Sequence, residues 1–405
     1  MSSALPPAHP SPRQTPVRSI TLLAAAGFAS QAQVRVTDSL LPQIASDFQT
    51  TVGVAATVLT AYALTHGSIQ FVVGPMADRF GKYRTVAVAS VLAAALVSLC
   101  GVASSPPQLA LARLATGTVA GWVIPVSMAY LGDVTPADRL QPILARYASG
   151  YILGQLFGQA MGGVLGDLFG WRNVFFALSG MFALAAAGLI FELIVNPKTR
   201  ERGREASDRR GFVADYAAVL SNPFARIILI TAFFEAALAW GAFAYIGAEL
   251  HQRFGLSLTL IGLTVACFGV GGLIYTGLVR HLVYRLGQAG LPVIGGFLIT
   301  AAYVVLTFQQ AWWPAPMAVT AIGLGFYMFH NTLQTKATQM TPEARGTAVA
   351  IFSSALYFGQ TAGVAAGALF IDRLSAGPLF LGTAIGFPAL ALWFAHKLQQ
   401  RRPLV

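Results

Sequence analysis

Apolar stretches of about 20 residues alternate with short polar segments along almost the whole chain. An α-helix of about 20 apolar residues is long enough to cross the hydrocarbon core of a bilayer. The pattern predicts twelve transmembrane helices, called spans 1 to 12 below, at 19–43, 52–73, 85–104, 108–131, 143–168, 173–196, 224–247, 258–279, 290–309, 314–337, 346–371 and 377–397. We therefore expect an all-α membrane protein.

The positive charges are distributed unevenly among the segments that join the spans. With both termini in the cytoplasm, the cytoplasmic segments carry 21 of the 26 Lys and Arg residues, whereas the outer loops carry only Arg172, Arg253 and Arg373. Cytoplasmic loops of membrane proteins are enriched in Lys and Arg. The pattern predicts a multi-pass protein of the plasma (inner) membrane with both termini in the cytoplasm.

Composition supports this topology and excludes a soluble globular protein. Hydrophobic residues make up 56% of the chain and charged residues 10%, against about 25% charged residues in ordinary soluble proteins. The net charge of +11 is concentrated in the predicted cytoplasmic loops, so it does not indicate a nucleic-acid partner. Cys100 and Cys267 both lie in apolar runs, so neither a disulfide framework nor a thiolate metal site is predicted.

One long hydrophilic segment divides the chain into two parts. Residues 197–223 are rich in Arg and predict a cytoplasmic linker between an N-terminal six-helix half, 18–196, and a C-terminal six-helix half, 224–397. Residues 1–17 are expected to form a disordered cytoplasmic tail, and residues 398–405 a second cytoplasmic tail. The alternative that span 1 is a cleaved signal peptide would leave eleven spans.

The two halves share short sequences at a nearly constant offset. TPADR at 135–139 corresponds to TPEAR at 341–345, an offset of 206, and Gly154, Gln155 and Gly158 correspond to Gly359, Gln360 and Gly363, an offset of 205. Six-helix repeats are a known plan of secondary transporters, whose substrate site lies between the repeats near the bilayer midplane. The repeat favours transport over membrane-embedded enzyme chemistry.

The segment GPMADRFGKYR at 74–84, between spans 2 and 3, resembles the conserved cytoplasmic loop motif of the major facilitator superfamily. The residues that fall on positions of this motif are Gly74, Asp78, Arg79, Gly81, Lys82 and Arg84. The resemblance implies that this loop forms a charge relay that stabilises the outward-facing state. It also implies a fold of two six-helix halves in which spans 1, 4, 7 and 10 line a central cavity.

Three further segments carry the same resemblance. RLATG at 113–117 resembles the span 4 motif of proton-coupled members, with Thr116 in place of the usual Gln. GQLFGQAMGG at 154–163 resembles the span 5 motif of antiporters, with Gln159 in place of the usual Pro, and GWRNVF at 170–175 matches the usual start of span 6. Among the branches of the superfamily, the chain most resembles the drug/proton antiporters and the sugar-efflux permeases.

Ionisable side chains within the spans are candidates for proton coupling. A charged group at the centre of a membrane helix costs about 2.5–3.5 kcal/mol on insertion scales, so its presence requires an explanation. Glu235 lies about ten residues into span 7, and it is predicted either to load and release protons or to bond structurally to a neighbouring helix. Arg35 and Asp38 share a face of span 1 and can pair, and Arg113 in span 4 needs an acid or a carbonyl as its partner.

Uncharged polar and aromatic side chains at helical spacing form the predicted substrate site, although each also has a structural interpretation as a packed, hydrogen-bonded residue. They are Gln31, Tyr62, His66, Tyr151, Gln155, Gln159, Phe234, Trp240, Tyr327, His330, Asn331, Gln334 and Gln360. A cavity with one acid and several aromatic rings suits amphiphilic cations, whereas His, Asn and Gln side chains suit sugars or zwitterions equally well.

The leading hypothesis is a proton-coupled exporter of a small organic molecule that works by alternating access. The alternative is a proton symporter or facilitator that imports a sugar, an organic acid or an amino acid. An integral-membrane enzyme and a channel are disfavoured because neither clustered acids nor a filter sequence is found, and no Walker loop indicates ATP-driven transport. We expect a monomer in the lipid bilayer with a small-molecule substrate, driven by the proton gradient without a cofactor.

Overall fold

The computed structural model of the chain describes residues 17–200 and 212–400, and all regular structure within them is helical. The α-helices are α1 Val17–Arg35, α2 Leu41–Asp47, α3 Val52–Ala55, α4 Thr57–Phe80, α5 Lys82–Gly101, α6 Pro106–Ala120, α7 Val123–Val134, α8 Ala137–Phe169, α9 Trp171–Val195, α10 Phe212–Ser221, α11 Pro223–Phe243, α12 Ile246–Phe254, α13 Leu258–Phe308, α14 Ala315–Ala337, α15 Arg345–Ile371 and α16 Gly377–Gln399. Residues 1–16 and 401–405 of the predicted tails and residues 201–211 of the predicted linker lie outside the described residues, whereas residue 17 begins α1 and residues 398–399 end α16.

Eight helical segments of the described residues are long and apolar enough to cross a membrane. They are Val52–Gly74, Lys82–Gly101, Pro106–Val134, Trp171–Val195, Pro223–Phe254, Leu258–Phe308, Arg345–Ile371 and Gly377–Gln399. The sixth of these covers two predicted spans, because Gly287 has a φ of 63° and breaks α13 where spans 8 and 9 meet. Spans 1, 5 and 10 coincide with the more polar helices α1, α8 and α14, so the count of twelve stays a prediction.

Four predicted spans are interrupted in the structure. Span 1 passes through a 3₁₀ helix at Val36–Ser39 between α1 and α2, and spans 2, 4 and 7 each consist of two helices, α3–α4, α6–α7 and α11–α12. The sequence pattern predicted continuous helices because apolar residues continue through the breaks of spans 2, 4 and 7, whereas the break of span 1 is mostly polar. The first break directly follows the buried Arg35 and contains the buried Asp38, so it lies at a site where charged groups are held among helices.

The glycines of the sequence repeat bring helices into close backbone contact. In the N-terminal half, Gly154 and Gly158 of α8 face Phe28 and Ala32 of α1, and Gly162 faces Val36 of the 3₁₀ helix that follows α1. In the C-terminal half, Gly359 and Gly363 of α15 face Phe233 and Ala237 of α11. A Cβ atom at Gly158 would lie only 2.6 Å from the Cα of Ala32. Small residues are enriched at such interfaces because they allow backbones to approach. The repeat therefore encodes two equivalent helix contacts.

The bundle has two ends, which we name by the elements they hold. The linker end holds Val17, α10 and Gln399, and the far end holds α2, α3 and α12. At the linker end, the Arg18 Nε lies 3.2 Å from Glu192 Oε2.

The loop that resembles the superfamily motif also lies at the linker end. Lys82 forms ion pairs with Asp78, at 3.0 Å, and with Asp133 of α7. Gly81 has a φ of 90°, which a side chain would strain, and it ends α4 in a tight turn before α5. A Cβ atom at Gly74 would meet no atom within 4 Å, and Arg79 and Arg84 are exposed. Lys82 thus joins Asp78 of the motif to Asp133 of α7, and the role of the motif in stabilising one state stays a prediction.

The α1–α8 contact can be tested by replacing Gly158 with Leu. We expect Gly158→Leu to destabilise the fold by about 1–3 kcal/mol, because overpacking forces adjacent backbones apart. Gly180→Leu is the matched control, since a Cβ at Gly180 would meet no atom within 4 Å. Thermal unfolding of the purified proteins in detergent measures both effects. Equal unfolding midpoints for the two variants would show that the close contact is absent.

Candidate functional site

Glu235 of α11 is enclosed within the C-terminal half and bonds to a histidine of another helix. Its side chain is 0% exposed, and its Oε2 lies 3.1 Å from Nδ1 of His330 on α14. Its Oε1 has no hydrogen-bond partner among the described residues. The His330 side chain is 17% exposed, so the pair has one side open to the space between the helices. The predicted acid of span 7 thus pairs with the predicted histidine of span 10.

An aromatic cluster holds His330 from the other side. The rings of Phe326 and His330 are stacked, with an interplanar angle of 10° and centroids 5.0 Å apart. Phe326 in turn packs against Trp240 at 5.0 Å, and Phe268 contacts both rings. Because these large side chains are buried, they fix the orientation of the imidazole that faces Glu235.

Arg35 of α1 extends from the N-terminal half onto this cluster. Its guanidinium carbon lies 3.4 Å from the centroid of the Trp240 ring, a cation–π contact. Its polar contacts are longer, at 3.7 Å to Asp38 Oδ2 and 3.5 Å to Gln360 Oε1 of α15. Arg35 therefore joins three helices across the boundary between the halves, and its closest partner is an aromatic face rather than an acid.

Asp38 and Arg113 are buried near each other within the N-terminal half. Asp38 is 1% exposed, and neither of its carboxylate oxygens has a hydrogen-bond partner among the described residues. Arg113 is 0% exposed; it lies over the Tyr62 ring at 4.2 Å and reaches the carbonyl oxygen of Gln33 at 3.4 Å. The sequence predicted an acid or a carbonyl as the partner of Arg113. In the structure its direct partners are a carbonyl and an aromatic ring, and Asp38 interacts with it electrostatically.

His66 of α4 forms a second contact between the halves. Its Nδ1 lies 3.2 Å from the Tyr62 hydroxyl, and its ring packs on Tyr357 of α15 with centroids 4.1 Å apart. Gln70, one turn further, donates to the carbonyl of Gly121 at 3.1 Å. Tyr62 thus links Arg113 to His66, and both predicted residues of span 2 belong to one network.

The remaining predicted substrate residues fall into three groups. Gln31, Tyr151, Gln155, Tyr327 and Asn331 are partly exposed, and Asn331 donates to the Tyr275 hydroxyl at 3.0 Å. Gln159 is fully buried with an unpaired side-chain amide, and Gln360 bonds Arg35. The structure does not bring Phe234 and Gln334 into this network, because both are exposed. Phe234 is 50% exposed and lies one helical turn from the exposed Ile230, on the outer stripe of α11.

Among the aromatic residues of the network, sequence reasoning missed Tyr357, Phe326 and Phe268. Tyr357 lies three residues before Gln360 on α15, so helical spacing alone could have placed it on the same face. Phe326 lies four residues before His330 on α14, the same kind of signal. Nothing in the spacing indicated that either ring would stack on a histidine.

Comparisons with known proteins agree with this architecture. The family model of the Major Facilitator Superfamily matches residues 23–364. The uncharacterized MFS-type transporter YceJ of Bacillus subtilis (strain 168) is 28% identical over 89% of this chain and 90% of its own length. A probable sugar efflux transporter of Helicobacter pylori (strain G27) is 22% identical over 87% of this chain and 88% of its own length.

A solved structure shows the same fold. The crystal structure of a bacterial homolog of the human lysosomal transporter Spinster, in an inward-facing and occupied conformation, matches with a TM-score of 0.76. It is 18% identical, and the match covers 96% of this chain and 98% of that chain. Members of the matched family are membrane transporters, so the enzyme hypothesis is excluded. With a family model matching most of its length, this chain belongs to the Major Facilitator Superfamily.

Proposed function

We propose that this transporter exports a small organic molecule in exchange for protons, by alternating access of a site between its two halves. The observation that carries the proposal is the enclosed Glu235–His330 pair. Enclosing a charge without full compensation is costly, and Glu235 has only one hydrogen-bond partner among the described residues. A proton that binds or leaves this pair changes its charge next to the fully buried Glu235 carboxyl, where charges are screened less than at the surface.

The position of the pair connects proton binding to the contact between the halves. His330 stacks on Phe326, Phe326 packs on Trp240, and Trp240 holds Arg35 of the other half. A shift of the imidazole on protonation therefore acts on the aromatic cluster that binds Arg35. Asp38 beside Arg35 is a second proton site in this proposal, and Arg113 stabilises its charged form.

The topology proposed for this mechanism has twelve spans with both termini in the cytoplasm. The eight apolar segments, the break of α13 at Gly287 and the helices α1, α8 and α14 together give twelve. The excess of Lys and Arg supports a linker end in the cytoplasm and a far end outside. Export as the direction is supported by the name of the Helicobacter relative, a probable sugar efflux transporter.

Proton movement in proteoliposomes with a trapped pH-sensitive dye tests the coupling role of Glu235. Sugars, amphiphilic drugs and amino acids are added in turn, and we expect at least one compound to drive proton flux in the wild type. Glu235→Gln should reduce this flux to that of empty liposomes, because the side-chain amide of Gln does not bind and release protons as a carboxyl does. The direction of flux separates antiport from symport.

Glu192→Gln is the matched control for this experiment. Glu192 is also a buried carboxyl, at 2% exposure, but it is held by Arg18, Ser19 and Asn196 at the linker end. We expect this variant to retain substrate-driven proton flux. If Glu235→Gln also retains full flux, Glu235 is a structural residue and the proposed coupling through it is wrong.

A double-mutant cycle tests the contact of Arg35 with Trp240. We expect Arg35→Gln and Trp240→Leu each to lower thermal stability in detergent, and the double variant to lose less than their sum. The coupling expected for a desolvated cation–π pair is about 2 kcal/mol. Trp313→Leu is the control, since Trp313 is 63% exposed. Strict additivity of the two changes would contradict a direct contact.

A further inference from the structure

Two carboxylates at the far end cross the boundary between the halves. Asp372, which directly follows α15 in the C-terminal half, accepts a hydrogen bond from the Thr51 hydroxyl at 2.7 Å. Its other oxygen accepts from the backbone N–H of Gly53 at 2.8 Å. Thr51 and Gly53 lie at the start of α3, in the N-terminal half.

The second carboxylate makes the same connection in the opposite direction. Asp167, near the end of α8 in the N-terminal half, accepts from the Thr259 hydroxyl at 2.6 Å and from the Thr259 backbone N–H at 3.3 Å. Thr259 lies in the first turn of α13, in the C-terminal half. Each half therefore supplies one carboxylate, and that carboxylate accepts hydrogen bonds from the start of a helix in the other half.

The two contacts are equivalent by the internal repeat of the sequence. Asp167 and Asp372 are 205 residues apart, which is the offset of the glycine repeat on the same two helices. Thr51 and Ser257 both cap the receiving helix, and Gly53 and Thr259 follow two residues after these caps. In both cases the carboxylate accepts from the second N–H of the receiving helix, where the helix dipole favours a negative charge.

The surrounding backbone is fitted closely to these contacts. A Cβ atom at Gly53 would lie 2.7 Å from the Asp372 Cγ and 2.8 Å from the carbonyl oxygen of Ala368. Beside the second contact, a Cβ at Gly262 of α13 would lie 2.7 Å from the Cα of Gly163 of α8. Glycine at these positions lets the helices of the two halves meet directly, so the far end is closed in this structure.

We propose that Asp167 and Asp372 form a paired latch that holds the far end closed and must release both helix starts before that end opens. The inference rests on the proposed alternating access, in which the halves separate at one end at a time. Hydrogen bonds of this length do not survive separation of the halves. Because the two contacts share no residue and act on different helix pairs, a rigid-body opening must break both.

Spin-label distances in the full-length protein test the latch. Labels at Val102 and Phe308, exposed residues at the far end in different halves, are introduced after replacement of Cys100 and Cys267 by Ala. Asp167→Asn and Asp372→Asn should each raise the ratio of open to closed far-end distances about fivefold, since a hydrogen bond contributes about 1 kcal/mol net. The double variant should raise it about 25-fold, because independent sites add.

Asp47→Asn is the matched control, since it removes a far-end acid whose partner lies in its own half. Asp47 pairs with Arg172, and this hydrogen bond holds the pKa of the Asp47 carboxyl below its usual range. We expect the far-end distances of this variant to equal those of the wild type. Thr259→Val provides a second test of the latch, because it removes a donor to Asp167 and leaves every charge in place; it should open the far end less than Asp167→Asn does.

The outcomes separate the latch from the proposed transport mechanism. Labels at Phe80 and Tyr284, exposed at the linker end, should move closer together in the double variant if access alternates. A far end that opens while the linker end stays unchanged supports the latch and contradicts alternating access. Far-end distances identical to wild type in the double variant, or in Thr259→Val if the double variant does not fold, overturn the latch.

Discussion

The arrangement of this transporter depends on the cost of enclosing ionisable side chains among apolar helices. Three such groups in the described core are each held by a partner on another helix: Glu235 by His330, Arg35 by Trp240 and Gln360, and Arg113 by Tyr62 and a backbone carbonyl. A partner on a neighbouring helix lowers the cost of the charge. Because the partners come from different helices, a change in charge at one group alters how those helices pack. In the proposed mechanism, the same contacts that stabilise the bundle make its packing respond to proton binding.

The enclosed arginines and the Glu235–His330 pair are distributed asymmetrically between two halves that are otherwise built alike. The glycine repeat gives each half an equivalent close contact, α1 with α8 and α11 with α15. The enclosed arginines Arg35 and Arg113 lie in the N-terminal half, whereas the Glu235–His330 pair lies in the C-terminal half. Arg35 is the point at which the two sets meet, since Trp240 contacts it and also packs on the Phe326 ring that holds His330. This connection is what the proposed coupling uses.

The helices were predictable from the sequence because a membrane helix is a local feature, marked by a run of apolar residues. The superfamily resemblance, the internal repeat and the candidacy of Glu235 and His330 could also be read from local sequence. The pairing of these two residues could not, because 95 positions separate them and one sequence carries no information on contacts between distant helices. Phe234 was also expected in the substrate site because it lies next to Glu235 in sequence. One residue along a helix is a rotation of about 100°, however, and this rotation places Phe234 on the exposed face of α11. Trp240 was expected to contact substrate, but its ring is occupied by Arg35 in this structure.

The most direct test of the account is an infrared titration of the protein in lipid, which detects the carbonyl band of a protonated carboxylic acid. The account predicts a band that grows as the pH falls and has a component from Glu235 that is missing in Glu235→Gln. It also predicts that substitution of His330 by Gln shifts the pH at which the band appears, because His330 is the hydrogen-bond partner of Glu235 among the described residues. Glu192→Gln should leave the band of Glu235 in place. An unchanged band in Glu235→Gln would contradict the central claim that this carboxyl binds the transported proton.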